Sequence, residues 1–222
     1  MMGLQWGFGA KYSGQVYHCF QCGPDAEADG IDGVINAYKS TFASGLVMSS
    51  PTDITEVLSA AAAFARSGQE HAASEGKQKY SVLLILTDGS VSDIESTIET
   101  LNLIADSPLS VVIVGIGNSD FSEMQFLDDS GSGLDVCQFV EFNSHSDDFS
   151  SLTRATLAEI PNQLTSYFNR HGIRPNPLVE VVEEDIVVEP EEEDIIVDMN
   201  FNDDGKIVVT SPGGVFVPRG AY

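Results

Sequence analysis

Two short apolar runs dominate the pattern of the chain. Residues 80–87 read Tyr-Ser-Val-Leu-Leu-Ile-Leu-Thr and end in Asp88 and Gly89, and residues 109–116 form a second run. Each is too short to cross a membrane and too uniformly apolar for a half-exposed strand, so each reads as a strand buried on both faces. Around them the period changes. Residues 31–43 place Ile31, Val34, Ile35, Tyr38 and Phe42 on one helical stripe, and residues 92–105 do the same with Ile94, Ile98, Leu101 and Ile104. Pro51 and Thr52 open an alanine-rich helix through Ala65, and residues 121–127 form a short helix. Residues 4–10 and 16–20 are read as two strands joined by a turn at Ser13-Gly14, and residues 136–142 as a last strand. Residues 148–170 are helical, with Pro161 expected to kink or break the helix. This alternation predicts an α/β fold, a doubly wound, mostly parallel sheet with helices on both faces.

The pattern changes near Arg174-Pro175-Asn176-Pro177, which divides the chain into a domain of residues 1–175 and an acidic region of residues 176–222. There the stretch 183–189 (Glu-Glu-Asp-Ile-Val-Val-Glu) nearly repeats as 192–198 (Glu-Glu-Asp-Ile-Ile-Val-Asp). Blocks of acid between β-branched residues repel one another and join little core, so the expectation is a disordered, low-complexity acidic tail. A hairpin over residues 195–210, turning at Asp203-Asp204-Gly205, is one alternative. Addition of residues 186–188 or 195–197 as a strand to a partner's sheet is another.

Composition narrows the function. The 222 residues carry a net charge of −24, which repels nucleic-acid phosphates and, unless a divalent cation bridges the two, anionic lipid. With 42% hydrophobic residues the chain can build a core. No apolar stretch is long enough for a transmembrane helix, and the amino terminus lacks the basic and apolar regions of a signal peptide. Three cysteines, Cys19, Cys22 and Cys137, are expected as reduced thiols of an intracellular protein.

Asp88 is the first candidate for chemistry, because ligands of open α/β sheets bind beyond the carboxyl ends of the strands. Gly89 is read as the residue that lets the chain turn away. Asp88 is equally suited to capping the next helix. Thr52, in a loop ahead of another helix, is either an N-cap or a second oxygen donor; a hydroxyl with a carboxylate suits Mg2+ or Mn2+. His18, Cys19 and Cys22 make half a zinc site with no second pair, and plain thiols are the expectation. Gly115-Ile116-Gly117 lacks the third glycine of a dinucleotide loop. No Gly-x-Ser-x-Gly elbow is present, and His71, His145 and His171 are scattered. Neither a nucleophile–base pair nor a phosphate loop is visible, so the chain is not expected to be an enzyme; an α/β hydrolase or nucleotide-dependent enzyme using Asp88 is the competing class.

Several pieces together resemble one family. They are residues 7–10 (Gly-Phe-Gly-Ala), 30–38, Pro51-Thr52, 80–93, 111–117, 138–142, 157–161 (Leu-Ala-Glu-Ile-Pro), Gln163-Leu164, Ser166-Tyr167-Phe168 and Gly172-Ile173-Arg174-Pro175. In collinear order from Gly7 to Pro175 they resemble the von Willebrand factor A-type domain of the copines, and the Glu-Ile-Pro and Gly-Ile-Arg-Pro pieces are the most specific. The resemblance implies a metal-ion-dependent adhesion site holding Mg2+ or Mn2+, completed by a carboxylate of an intracellular protein partner. Thr52 matches its second element and Asp88 its third. Its first, Asp-x-Ser-x-Ser after the central strand, should stand ahead of Gly7, and the chain starts too late to contain it. Asp128-Asp129-Ser130-Gly131-Ser132 satisfies that pattern as text, but it follows a short helix and reads as a surface loop. The resemblance also implies calcium-dependent phospholipid binding at the plasma membrane through two C2 domains that are not in this sequence. A related reading is a scaffold fragment of copine-like ubiquitin ligases, whose RING cysteines are not in it either. Without the central strand, the strands at 4–10 and 80–87 would each lack a neighbour. That would cost several kcal/mol, comparable to a domain's whole stability, so the chain alone is expected to be unstable.

Overall fold

The computed structural model describes residues 2–129, 135–177, 198–201, 207–211 and 214–216. Six short strands come first: β1 (Met2–Leu4), β2 (Trp6–Gly7), β3 (Ala10–Tyr12), β4 (Gln15–Tyr17), β5 (Phe20–Gln21) and β6 (Glu27–Asp29). They lead into α1 (Gly30–Ala43), β7 (Val47–Met48) and α2 (Thr55–Ser74). The α/β alternation then runs β8 (Ser81–Thr87), α3 (Ile94–Ile104), β9 (Leu109–Gly115), α4 (Gln125–Asp129), β10 (Cys137–Glu141), α5 (Phe149–Leu157) and α6 (Ile160–Arg170). These belong to one unit, residues 1–176. A second unit, residues 177–222, contains β11 (Asp198–Phe201), β12 (Ile207–Ser211) and β13 (Gly214–Phe216).

The central sheet has the order β10-β9-β8 and is parallel throughout, with Leu84 beside Val112 and Gln138 beside Val112 on its other side. Every residue of β9 is buried, as its unbroken apolar run predicts for a strand between two neighbours. One sheet face, carrying Ile85, Val111, Ile113, Cys137 and Phe139, packs on Leu58, Ala61, Ala62 and Ala65 of α2 and on Leu101 and Ile104 of α3. On the other face Val112, Val114 and Val140 are also buried, and α5 and α6 lie against β10 and β9. The cover stops there. Val82, Leu84 and Leu86 share that second face and are 51%, 56% and 56% exposed. Among the described residues β8 is a sheet edge, so the buried-strand expectation holds for one of its faces only.

Residues 4–10 do not form one strand in the parallel sheet. Gly9 adopts φ +63°, with Ser49 O only 3.3 Å from where a Cβ would stand, and its carbonyl accepts from Ser49 N–H at 2.8 Å. That left-handed residue interrupts the strand. The pieces on either side enter separate antiparallel ladders, β1–β6, β2–β5 and β4–β3–β7. The Ser13-Gly14 turn is present, with φ +50° and +89° at its two residues, the geometry that matches strand twist in a two-residue hairpin. Pro161 separates α5 from α6 and sits in the first turn of α6, where its missing N–H has no helical partner to lose. Helix α2 runs nine residues past the predicted end at Ala65 because Ala72 and Gln69 continue its buried stripe.

In the second unit, Asp198 pairs with Thr210 and Phe201 with Ile207, the antiparallel pairing of the alternative hairpin, and β12 also pairs with β13; the turn residues Asp203, Asp204 and Gly205 lie outside the described residues. Of the tail expected to be disordered, residues 176–222, residues 178–197, 202–206, 212–213 and 217–222 lie outside the described residues.

Candidate functional site

Thr52 and Asp88 come from different loops, and Ser92 braces those loops together. The Thr52 N–H donates to Ser92 Oγ at 2.7 Å, and the Ser92 N–H donates to Thr52 O at 2.8 Å. Ser92 stands in the loop that begins at Asp88, so this two-way bond fixes the Thr52 loop against the carboxyl end of β8. The loop after β9 joins the same rim: Ser119 Oγ donates to the Asp88 carbonyl and Ser90 Oγ to the Asp120 carbonyl, the latter at 2.8 Å. Asn143, following β10, donates to Gly117 O and to Asn118 Oδ1. Four loops thus meet at one end of the strands. The position of the Thr52 and Asp88 loops at one sheet edge was legible in the sequence; the other two loops and the serine and asparagine braces were not, since nothing in their spacing marks them.

Neither Thr52 nor Asp88 is a helix cap: the N-cap position of α2 is Ile54, with no side-chain cap bond, and that of α3 is Asp93. Asp93 accepts from Ser96 N–H at 2.9 Å and caps α3. Asp53 accepts from the Thr55 N–H at 2.8 Å and from its hydroxyl at 2.7 Å. No described residue hydrogen-bonds the Thr52 hydroxyl or the exposed Asp88 carboxylate. Gly89 is not in the left-handed region; the turn is closed instead by Thr87 Oγ1, which donates to Gly89 O at 2.7 Å. Asp120, on the same rim, is held below the usual carboxylate range, first by the Ser122 backbone N–H and then by its hydroxyl, so it stays anionic.

The donor chemistry of this rim fits a hard divalent cation, since hydroxyl and carboxylate oxygens are the donors Mg2+ and Mn2+ prefer. The donor number is small: among the described residues no cluster of three or more His, Cys, Asp or Glu could hold a metal. Of the look-alike Asp128–Ser132 motif, Asp128 and Asp129 end α4, and residues 130–132 lie outside the described residues.

Cys19 and Cys22 are half-buried and Cys137 is buried, and no disulfide joins them. Burial raises the Cys19 thiol, helped by the Glu56 carboxylate, and burial also raises Cys22 against an opposing bond to Thr41. Both therefore remain protonated thiols, poor as nucleophiles or metal ligands. His71 meets Glu75 at 3.5 Å, and His171 meets Asp106 at 3.0 Å. His145 Nδ1 lies 2.8 Å from Ser151 Oγ, a serine–histidine contact that sequence reading misses. Ser151 sits in the first turn of α5 and no described carboxylate orients the imidazole, so the contact ties a helix end to the preceding 3-10 turn. At the opposite end of the sheet a polar cavity of about 380 Å³ lies between Tyr80, Ser107 and α6 residues Gln163, Tyr167 and Arg170. There burial raises Tyr80, whose hydroxyl is 3.0 Å from Ser110 Oγ.

Comparison with known proteins places this geometry in context. The family model described as Copine matches residues 4–176, nearly the span of the sequence resemblance. Copine-C of Dictyostelium discoideum is 39% identical over 197 residues, 83% of this chain and 36% of that protein. Copine-B of the same organism is 38% identical over 181 residues, 76% and 33%. Protein BONZAI 1 of Arabidopsis thaliana is 36% identical over 187 residues, 78% and 32%. The chain spans about a third of the length of these relatives.

Proposed function

Because the chain belongs to the copine family, we propose that it acts as a non-enzymatic protein-binding module whose Thr52–Asp88 rim meets a carboxylate of an intracellular protein partner. The observation that carries this reading is the Ser92 brace, which holds the Thr52 loop against the Asp88 loop while Asp93, not Asp88, caps α3. Thr52 and Asp88 are the residues that would hold Mg2+ or Mn2+. A bound cation supplies an open coordination position for an acidic side chain. With two protein oxygens the affinity is weak, and titration calorimetry is expected to give a Mg2+ dissociation constant well above micromolar.

The chain's own contribution is orientation. Ser92 fixes the Thr52 loop, Ser119 and Ser90 fix the Asp88 loop, and the exposed carboxylate faces solvent rather than a helix end. Among the described residues no helix is long and apolar enough to cross a membrane. The proposed setting is the cytoplasm, with plasma-membrane association through other parts of a longer protein. A chain of net charge −24 is repelled by anionic lipid, so it does not bind lipid directly.

The test is binding of a short Glu/Asp-containing peptide to the full chain with and without Mg2+. Mg2+-dependent binding that Asp88→Ala abolishes supports the reading; binding indifferent to both overturns it. Calcium-dependent sedimentation of the chain with phosphatidylserine vesicles would contradict the lipid statement.

A further inference from the structure

Away from the Thr52–Asp88 rim, the β3–β4 hairpin and the C-terminal half of α1 enclose an open groove of about 570 Å³. Its walls follow from register. Ala10 stands opposite Tyr17, and Tyr12 opposite Gln15, so Tyr12 and Tyr17 are diagonal neighbours on one face of the hairpin. Diagonal neighbours in an antiparallel pair stand roughly 7–8 Å apart, leaving a slot between two aromatic ridges. Ala10, 1% exposed, floors that slot with a single methyl group. Both tyrosines reach solvent, at 52% and 39% exposure, and Phe20 and Pro24 extend the apolar wall.

The groove itself is neutral. None of its lining residues is charged, in a chain of net charge −24. On the α1 side the hydroxyls of Ser40 and Thr41 donate to Ala37 O, and that of Ser44 to Thr41 O, so this wall is neutral and internally satisfied. Beyond Pro24 the surface turns acidic with exposed Asp25 and Glu27.

We propose that this Tyr12–Tyr17 groove is a docking site for a proline-rich segment with a basic flank, supplied by another protein. A polyproline II helix rises about 3.1 Å per residue with three residues per turn. One turn therefore rises about 9.3 Å, more than the roughly 7–8 Å between the ridges, so a single pyrrolidine ring enters the slot and the next ring on that face falls beyond a ridge. The helix has no internal hydrogen bonds, so its carbonyls can accept from phenol hydroxyls at the groove's mouth, and aromatic-lined grooves are the usual receptors of such segments. An α-helix, about 10–12 Å across with side chains, is too wide for a slot between adjacent tyrosines. An anionic lipid would meet the acidic rim unfavourably, whereas an arginine flank complements Asp25 and Glu27. This site is separate from the Thr52–Asp88 rim and stands whether or not that rim binds a cation.

The test titrates the full chain, in EDTA, with an oligoproline peptide ending in two arginines, against a glycine–serine peptide carrying the same arginines. The proline peptide is expected to bind and the control not to. Tyr12→Ala and Tyr17→Ala should each weaken binding by about tenfold or more, while Tyr38→Ala, on the exposed stripe of α1, and Asp88→Ala should leave it unchanged. Amide shifts in the unmutated chain should centre on Gly23, Thr41 and Ser44, a readout that holds even if a tyrosine variant misfolds. Equal binding of the two peptides, no binding, or shifts centred elsewhere would overturn the proposal.

Discussion

Leu58→Ala is expected to lower the stability of the α/β unit by about 2–5 kcal/mol, the range for truncating a fully buried leucine. Leu58 is 0% exposed, at the point where α2 meets Ile85, Val111 and Ile113 of the sheet. Truncation removes apolar burial and also leaves a cavity that the rigid strands on one side and the alanines of α2 on the other cannot collapse to fill. Leu103→Ala supplies the contrast. Leu103 is on α3 but 83% exposed, and its truncation is expected to change stability by no more than about 0.5 kcal/mol. Urea titration of both variants checks this. Similar losses at the two positions would contradict the burial pattern.

Leu84→Lys is expected to change association rather than packing. The outward residues of β8 are Val82, Leu84 and Leu86, all more than half exposed, on a strand with no charge along its seven residues. A long, uncharged, apolar edge strand pairs readily with other chains, and lysine on an edge is how natural sheets suppress this. The purified chain is therefore expected to self-associate in sedimentation velocity and to melt without full cooperativity. Leu84→Lys should move it towards monomer, weakening association by roughly tenfold or more. The inward face of β8, with Ile85 at 3% exposure, is untouched by the change. A monomeric, cooperatively melting unmutated chain would contradict the expectation.

These two leucines show what the sequence could reveal. Leu58 lies in the alanine-rich stretch read as a helix and Leu84 in the apolar run read as a strand, and the structure has both so. Period alone does not say which face of a strand is covered. The run at 80–87 looks like that at 109–116, yet β9 has a neighbour on each side and β8 has one among the described residues. The glycine at position 9 was visible in the sequence, but its interruption of a strand depends on Ser49, forty residues away. The same holds at the rim. Asp88 and Thr52 were legible from loop chemistry and family resemblance, whereas Ser92 became meaningful only once the Thr52 loop lay against it. His145 and Ser151, and the Tyr12–Tyr17 groove, also depend on register and turn geometry that composition does not encode.

The central claim is that Thr52 and Asp88 act together at one rim, and Mn2+ relaxation tests it most directly. In amide spectra of the full chain, substoichiometric Mn2+ is expected to broaden the signals of Thr52, Asp88 and Ser92 together, and Asp88→Ala should remove that broadening. Broadening confined to the acidic residues 176–222, with the rim signals unaffected, would contradict the account.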